Sequence, residues 1–573
     1  MDNPLNTVSI GNPFTANSAP ISPPAITSFA QADEIVRRLA DRKNAWLQVS
    51  VASRITYLQR CIDHTTALAS DWVKAACRAK GINSEETLAG EEWLVGPSIL
   101  LWNLQELIKT LNANGQPTPS NLITRNHQTI AKVFPSNLRE RLLWLGFTGE
   151  VWMEPGQSAI QGMVYRQQPP QARVALVLGA GNVSSIAPMD ALYKLFAEDA
   201  VVLLKMNPVN EYMGSILAEV FEPLRQDGFL EIVYGGADLG SYLCQHPLIE
   251  TIHITGSDAT HDAIVWGTPA EQAARKATQQ PLNPKPISSE LGCVTPVIVV
   301  PGNWSKSDLA FQARHIAGMV VNNASFNCAA AKVVVTAQGW KQRQEFLHLL
   351  QQELAATPPR YAYYPGAKQR FLEFLNRYPQ AQVVNSGSDE IVPWTLIPAV
   401  PAEQGEYALT QEAFCGVLAE VSLDASDAGA FLSQAVEFVN ETVWGNLSCT
   451  LLIDPGTQKQ WANELETAIA HLHYGAIGVN VWSAVLFSFP AFPWGAFPGN
   501  SWDNIRSGSG FVHNTYLFEH PQKSVLRAPF RIHPLPFWFA RRRHLLQVGQ
   551  LSTRFQAKPT WGNLLKLAMA AMK

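Results

Sequence analysis

Two residues combine a reactive type with surroundings suited to reaction, Cys328 and Glu290. A cysteine thiolate attacks a carbonyl carbon and can carry the acyl group as a thioester; a free thiol, with a pKa of about 8.5, is only a few per cent ionised at neutral pH. Cys328 sits in Asn322-Asn323-Ala324-Ser325-Phe326-Asn327-Cys328-Ala329-Ala330, between a helical pattern and the apolar run AKVVV. The small residues after it let backbone and substrate approach closely. The other six cysteines (Cys61, Cys77, Cys244, Cys293, Cys415, Cys449) lack such surroundings and read as core. Glu290 stands at the entrance to the apolar run VTPVIVV, where desolvation would raise a carboxyl pKa toward the range of a general base. A solvated glutamate at a strand edge is the plainer alternative.

A second kind of chemistry is suggested by glycines. Gly179-Ala180-Gly181-Asn182-Val183-Ser184 follows the apolar run VALVL and has the form of a dinucleotide-binding turn with serine in place of the third glycine. The usual partner, an acidic residue at the end of the next strand, is replaced by the cation Lys205, so the ordinary fingerprint fails. Thr255-Gly256-Ser257 follows the apolar run TIHI.

These residues need elements to position them. At 573 residues the chain is long enough for two or more domains. Apolar positions recur at helical spacing from Ala30 to about Leu111. From Val174 to Leu204 a strand-helix-strand unit follows, and it repeats through EIVYGG and TIHITGS, the pattern of a doubly wound parallel sheet. A stretch rich in Pro, Asn and Gln, Ala270 to Ser288, leads to a second α/β pattern, with a junction expected near Ser289. A net charge of -4 gives no basic field for nucleic acid. Seven scattered cysteines without a C-x-x-C pair argue for a reducing compartment and against zinc. No secretory signal is evident, and the run from Ala484 to Phe497, broken by Pro490 and Pro493, is too short to span a bilayer. The cytoplasm is the expected location.

Taken in order, these segments resemble the aldehyde dehydrogenase superfamily. Glu290-Leu291-Gly292-Cys293 resembles its E-L-G-G motif, and the Cys328 segment its G-Q-x-C-x-A, with Ser325 and Phe326 replacing Gly and Gln. Gln411-Glu412-Ala413-Phe414-Cys415-Gly416 resembles E-E-I-F-G-P, Gly475 to Asn480 resembles A-G-x-V-x-V-N, and Pro493-Trp494-Gly495-Ala496 with Ser507-Gly508-Ser509-Gly510 resembles P-F-G-G and S-G-x-G. The resemblance implies two doubly wound α/β domains, one for cofactor and one catalytic, with a small bridging or oligomerisation element. It implies Cys328 as nucleophile, Glu290 as the base for the deacylating water, and Asn182 as an oxyanion donor. Lys205 would bind the adenosine ribose or a 2'-phosphate, and Gly181, Gly256 and Ser257 would lie along the dinucleotide. Glu412 would bind the nicotinamide ribose, with Phe414 beside the ring. The cofactor would be NAD or NADP. Pro208 stands where family members commonly carry a glutamate favouring NAD, which leaves the choice open, and His261 replaces a second glycine near the pyrophosphate.

The reaction so implied is oxidation of an aldehyde to a carboxylic acid by a homodimer or homotetramer. An acyl-CoA reductase or acylating dehydrogenase of the same superfamily, which exchanges the thioester with coenzyme A, and a non-catalytic cofactor-binding scaffold, are the alternatives. By domain, 1–25 reads as an extended arm, 26–140 and 160–288 as the dinucleotide-binding domain, and 289–482 as the catalytic domain. Segments 141–159 and 483–520 read as the bridging element, and 521–573 as a basic, aromatic C-terminal extension. Phe487, Phe489, Phe492, Trp494 and Phe497 are candidates for an apolar channel admitting a bulky or long-chain aldehyde, ordinary packing being the alternative. Arg541-Arg542-Arg543, preceded by Phe537, Trp538 and Phe539, could rest on an anionic membrane, or pack on a neighbouring subunit or stay solvated.

Overall fold

The computed structural model describes residues 25–125, 127–166, 171–388, 390–539 and 541–573. The expected N-terminal arm therefore lies outside the described residues but for Ala25. The chain then enters the helix Phe29–Leu47, started by a capping box between Ser28 and Gln31 that satisfies otherwise orphaned amides. With the helix Val51–Ala79, capped by Ser50, it buries one apolar stripe including Val36, Leu39, Trp46 and Leu58.

The helix Phe29–Leu47 lies on a six-stranded sheet in the order Gly508–Ser509, Ile287–Glu290, Thr251–Thr255, Arg173–Leu178, Ala200–Lys205, Leu230–Val233. All neighbours are parallel except the short edge strand Gly508–Ser509. The runs RVALVL and AVVLLK are almost wholly buried, as a parallel sheet covered on both faces demands. The first strand, Arg173–Leu178, lies inside the sheet, with the second on one side and the fourth on the other. Strand order reverses there, and the crevice beyond the carboxyl ends at such a point is the usual ligand site of this architecture. Register brings Leu178 beside Lys205 and Ile254, and Thr255 beside Glu290, so that residues far apart in sequence share one sheet edge.

A second sheet has eleven strands. Seven run mutually parallel: Pro521–Arg527, Ala476–Val479, Ser448–Leu452, Pro296–Val299, Val333–Ala337, Val417–Leu423 and Thr395–Ile397. An antiparallel trio, Asn121–Arg125, Gln128–Phe134 and Thr148–Met153, extends one side. The last parallel strand of the first sheet ends with Glu290 and the first parallel strand of the second begins with Pro296, so the chain crosses between them just after the junction expected from sequence. The Pro- and Gln-rich stretch before it contains an exposed helix, Pro269–Thr278.

Two expected boundaries move. The pair of strands within 121–134 belongs to the second sheet, although the sequence grouped 26–140 with the dinucleotide domain. Pro521–Arg527, expected to open an appendage, is bonded on both sides within the large sheet. Its polar residues hid it. The Lys523 ammonium is buried by donating to the carbonyls of Ile469 (3.0 Å), Ala470 (2.6 Å) and Leu472 (3.0 Å), and Arg527 pairs with Glu466 at 2.8 Å.

The extension proper folds back on the body. Its helix Leu545–Ala557 crosses Gly90–Trp93 closely because two glycines face each other: a Cβ on Gly549 would lie 2.6 Å from the Trp93 Cβ, and one on Gly90 2.3 Å from the Leu545 backbone. Trp538 and Phe539 are buried, Phe539 stacking on His315 with centroids 5.1 Å apart, and Arg541 pairs with Glu353. These two rings point into the protein and do not offer the membrane-facing surface considered from sequence. No helix among the described residues is long and apolar enough to cross a membrane.

Candidate active site

Cys328 follows a turn at the head of strand Val333–Ala337, while Glu290 ends a strand of the other sheet; the two side chains meet across the junction. The Cys328 thiol faces Glu290 Oε1 at 3.6 Å. Glu290 is buried, its other oxygen has no hydrogen-bond partner, and its pKa is pushed up to about 8. Burial is the main cause, and the Asp190 carboxylate, held by Thr255 Oγ1 at 2.9 Å, adds to it. The Cys328 thiol is itself held well above its ordinary pKa by burial and by the Glu290 and Glu412 carboxylates, against the opposing pull of Lys332. At rest the sulfur is a thiol beside a base.

The loop carrying Cys328 is strained and strapped. Asn323, Ala324 and Ser325 all have positive φ (51°, 54° and 69°), a left-handed conformation costing a non-glycine residue about 1–2 kcal/mol. Lys332 Nζ donates to the carbonyls of Asn327 (3.0 Å), Cys328 (2.9 Å) and Ala330 (3.2 Å) and lies 3.0 Å from Glu412 Oε1. Thr295 Oγ1 donates to the same Cys328 carbonyl at 2.9 Å. From the N-terminal helices, Lys80 Nζ, in a buried pair with Glu92, donates to Asn323 Oδ1 at 3.0 Å. None of these partners was singled out from sequence. The available signal for Lys332 was a lysine opening an otherwise apolar strand.

Asn182 Nδ2 donates to the Phe326 carbonyl at 3.1 Å, leaving the second amide hydrogen for another acceptor. Its own carbonyl accepts from Asn323 Nδ2 (3.0 Å) and Tyr363 OH (2.9 Å), so the glycine-rich turn is tied to the nucleophile loop.

All nine residues singled out from sequence line one cleft of about 820 Å³. Lys205 is buried at the end of its strand, with no ion pair among the described residues, and burial lowers its pKa. Such an ammonium gains from any acceptor brought into the cleft. Gly256 and Ser257 are exposed at the start of the helix Asp258–Trp266. A side chain at Gly292 would place its Cβ 2.0 Å from Glu412 Oε2, which explains why a glycine follows Glu290-Leu291. Phe414 packs 5.8 Å from Phe326, centroid to centroid, and Arg370 holds the Phe414 carbonyl at 3.1 Å. His261 is fully buried, 3.4 Å from Asp262, and does not border the cleft. This set of a turn, a buried cation and helix amides fits an elongated anionic ligand such as a dinucleotide.

Of the five channel aromatics, Phe487 and Trp494 border a small cavity that Cys328 also borders, and Phe489 borders a second. Phe492 packs over Gly149 and Phe497 stacks on His473 at 4.8 Å, both as ordinary packing.

Residues 156–360 match the family model described as the aldehyde dehydrogenase family. A 128-residue stretch is 30% identical to 4-trimethylaminobutyraldehyde dehydrogenase A of Danio rerio, covering 22% of this chain and 23% of that protein. The matching region spans under a third of the length of the curated relatives. Solved structures extend the fold likeness. An indole-3-acetaldehyde dehydrogenase in complex with NAD+ superposes with TM-score 0.57 at 16% identity, over 87% of this chain and 88% of that one. An NADP-dependent glyceraldehyde-3-phosphate dehydrogenase from Bacillus halodurans C-125, complexed with NADP, gives 0.60 at 14% identity, over 87% and 91%.

Proposed function

The chain belongs to the aldehyde dehydrogenase superfamily, and on that premise we propose that it oxidises an aldehyde to a carboxylic acid with NAD or NADP, through a thioester on Cys328. The observation that carries this reading is the Cys328 thiol 3.6 Å from Glu290, at the wall of a cleft able to take a dinucleotide. Aldehyde, water and oxidised dinucleotide become carboxylate, reduced dinucleotide and two protons.

Glu290, as carboxylate, takes the Cys328 proton while sulfur bonds to the carbonyl carbon. The remaining Asn182 amide hydrogen would donate to the developing oxyanion, a contact whose loss typically lowers the rate about a hundredfold or more. When bound, the dinucleotide supplies the hydride acceptor; Lys205 and the Gly256–Ser257 amides would hold its anionic half, and Glu412 and Phe414 its nicotinamide half. Once Glu290 has released the first proton to solvent, water attacks the thioester and Glu290 accepts its proton. The carbon–sulfur bond breaks, the leaving thiolate takes that proton back to restore the thiol, and the acid ionises to give the second proton. A base this close to sulfur favours water over coenzyme A as the acyl acceptor, since a thiol acceptor needs no such base. Pro208 offers no charge to repel a 2'-phosphate, so NADP remains open as a cofactor. A homodimer or homotetramer is part of the same proposal, the outer strand Asn121–Arg125 being largely exposed.

The test is a panel of aldehydes with each dinucleotide, on wild type and Cys328→Ala. Free acid formed by wild type and absent from the variant is expected. Dinucleotide binding without Cys328-dependent turnover would favour the scaffold, and acyl-CoA in place of acid would favour the acylating enzyme.

A further inference from the structure

Away from the dinucleotide cleft, Cys328 also borders a cavity of about 50 Å³, together with Glu290 and Asn182. Its walls include Leu94, Val95, Ile99, Ser488 and Phe537, and the same five residues border an adjoining cavity of about 130 Å³. Gly96, with ψ of -106°, and Pro97 interrupt the helix at Leu94–Ser98, and a Cβ on Gly96 would lie 2.7 Å from the Trp72 Nε1, so the break is built into the packing. Phe489, Trp102 and Trp144 make the second cavity apolar.

The lining also carries polar side chains, among them His533, Ser552 and Gln556, and one charged group. Arg542, from the C-terminal extension, borders the second cavity and does not border the first. It is 6% exposed; one Nη donates to the Ala571 carbonyl at 2.7 Å, while Nε and the other Nη have no hydrogen-bond partner. No carboxylate pairs with it among the described residues, and burial together with Arg314 lowers its pKa. A buried guanidinium with unused donors is unfavourable until an anion completes it.

We propose that the paired cavities hold the chain of the substrate and that Arg542 receives an anionic group at its end, so the preferred substrate class is an ω-oxo acid, an unbranched apolar chain with an aldehyde at one end and a carboxylate at the other. This rests on the reading of Cys328 as the nucleophile. Arginine matches a carboxylate through two parallel hydrogen bonds, and each methylene drawn into the apolar walls adds about fourfold to kcat/KM. Oxidation of such a substrate yields a dicarboxylate.

The experiment compares ω-oxo acids with plain alkanals of matched length on the full-length protein, as wild type, Arg542→Met and Arg542→Lys. Wild type is expected to favour the oxo acid about 10- to 100-fold in kcat/KM, the worth of a hydrogen-bonded charge in a buried site. The ratio should fall to near one in Arg542→Met and be partly kept by Arg542→Lys. A wild-type ratio near one, or one that survives Arg542→Met, overturns the proposal; reading the ratio removes any general loss from misfolding. If no aldehyde of any kind is turned over, the Cys328 reading has failed, and the cavity is judged by calorimetric binding of α,ω-dicarboxylates against monocarboxylates of the same length. Tighter dicarboxylate binding, lost in Arg542→Met, supports the site, and equal binding overturns it.

Discussion

At the scale of the residue, the chemistry turns on a carboxyl and a thiol that are both reluctant to ionise. Burial lifts Glu290 to about 8, so its basic form fills as pH rises through that value and empties below it. At pH 7 about a tenth of the molecules carry the base, and at pH 9 about nine tenths. Acid production should therefore climb about tenfold between those limits. In Glu290→Gln that limb should vanish and the rate fall by about 10²- to 10⁴-fold. An unaltered pH profile in the variant would remove Glu290 from the mechanism. Residue types showed Cys328 and Glu290 as candidates because a thiol among small residues and a carboxyl at a buried strand are uncommon. Their closeness was invisible, since they stand 38 positions apart in the chain.

At the scale of the element, the loop before Cys328 holds an unfavourable backbone that its neighbours must enforce. Lys332 does so from the following strand and also neutralises Glu412. Removing one partner of a buried pair strands the other. Lys332→Met should destabilise the protein by about 3–5 kcal/mol, seen as a lower Tm, whereas a change of under 1 kcal/mol would show that the strap is dispensable. The sequence made the parallel strands at the heart of both sheets legible, because runs such as VALVL and AVVLL are apolar throughout, whereas the parallel strand Pro521–Arg527, with its polar residues, was missed. The antiparallel strands Asn121–Arg125 and Gln128–Phe134 were missed, being partly exposed and polar, as one-sided sheets are.

At the scale of the molecule, the chain end is structural. Pro521–Arg527 joins the antiparallel trio to the parallel strands, with hydrogen-bonded neighbours on both sides. A chain ending at residue 520 would leave Ala476–Val479 and Thr148–Met153 unpaired along that seam. It should lose cooperative thermal unfolding by circular dichroism, and a sharp, native-like transition would show that the strand is peripheral.

What the sequence determined by itself was the order of parts: a glycine turn, a lysine at the next strand end, a glutamate before an apolar strand, a cysteine in a loop of small residues. Local patterns encode these because strand burial and turn geometry act over a few residues. Tertiary structure alone decided that the thiol reaches the carboxylate, that Lys80 and Lys332 restrain the loop, and that Arg542 lies in an apolar cavity beyond Cys328. Those contacts are set by how two sheets and a returning tail pack, and packing of distant segments leaves no periodic mark on the chain.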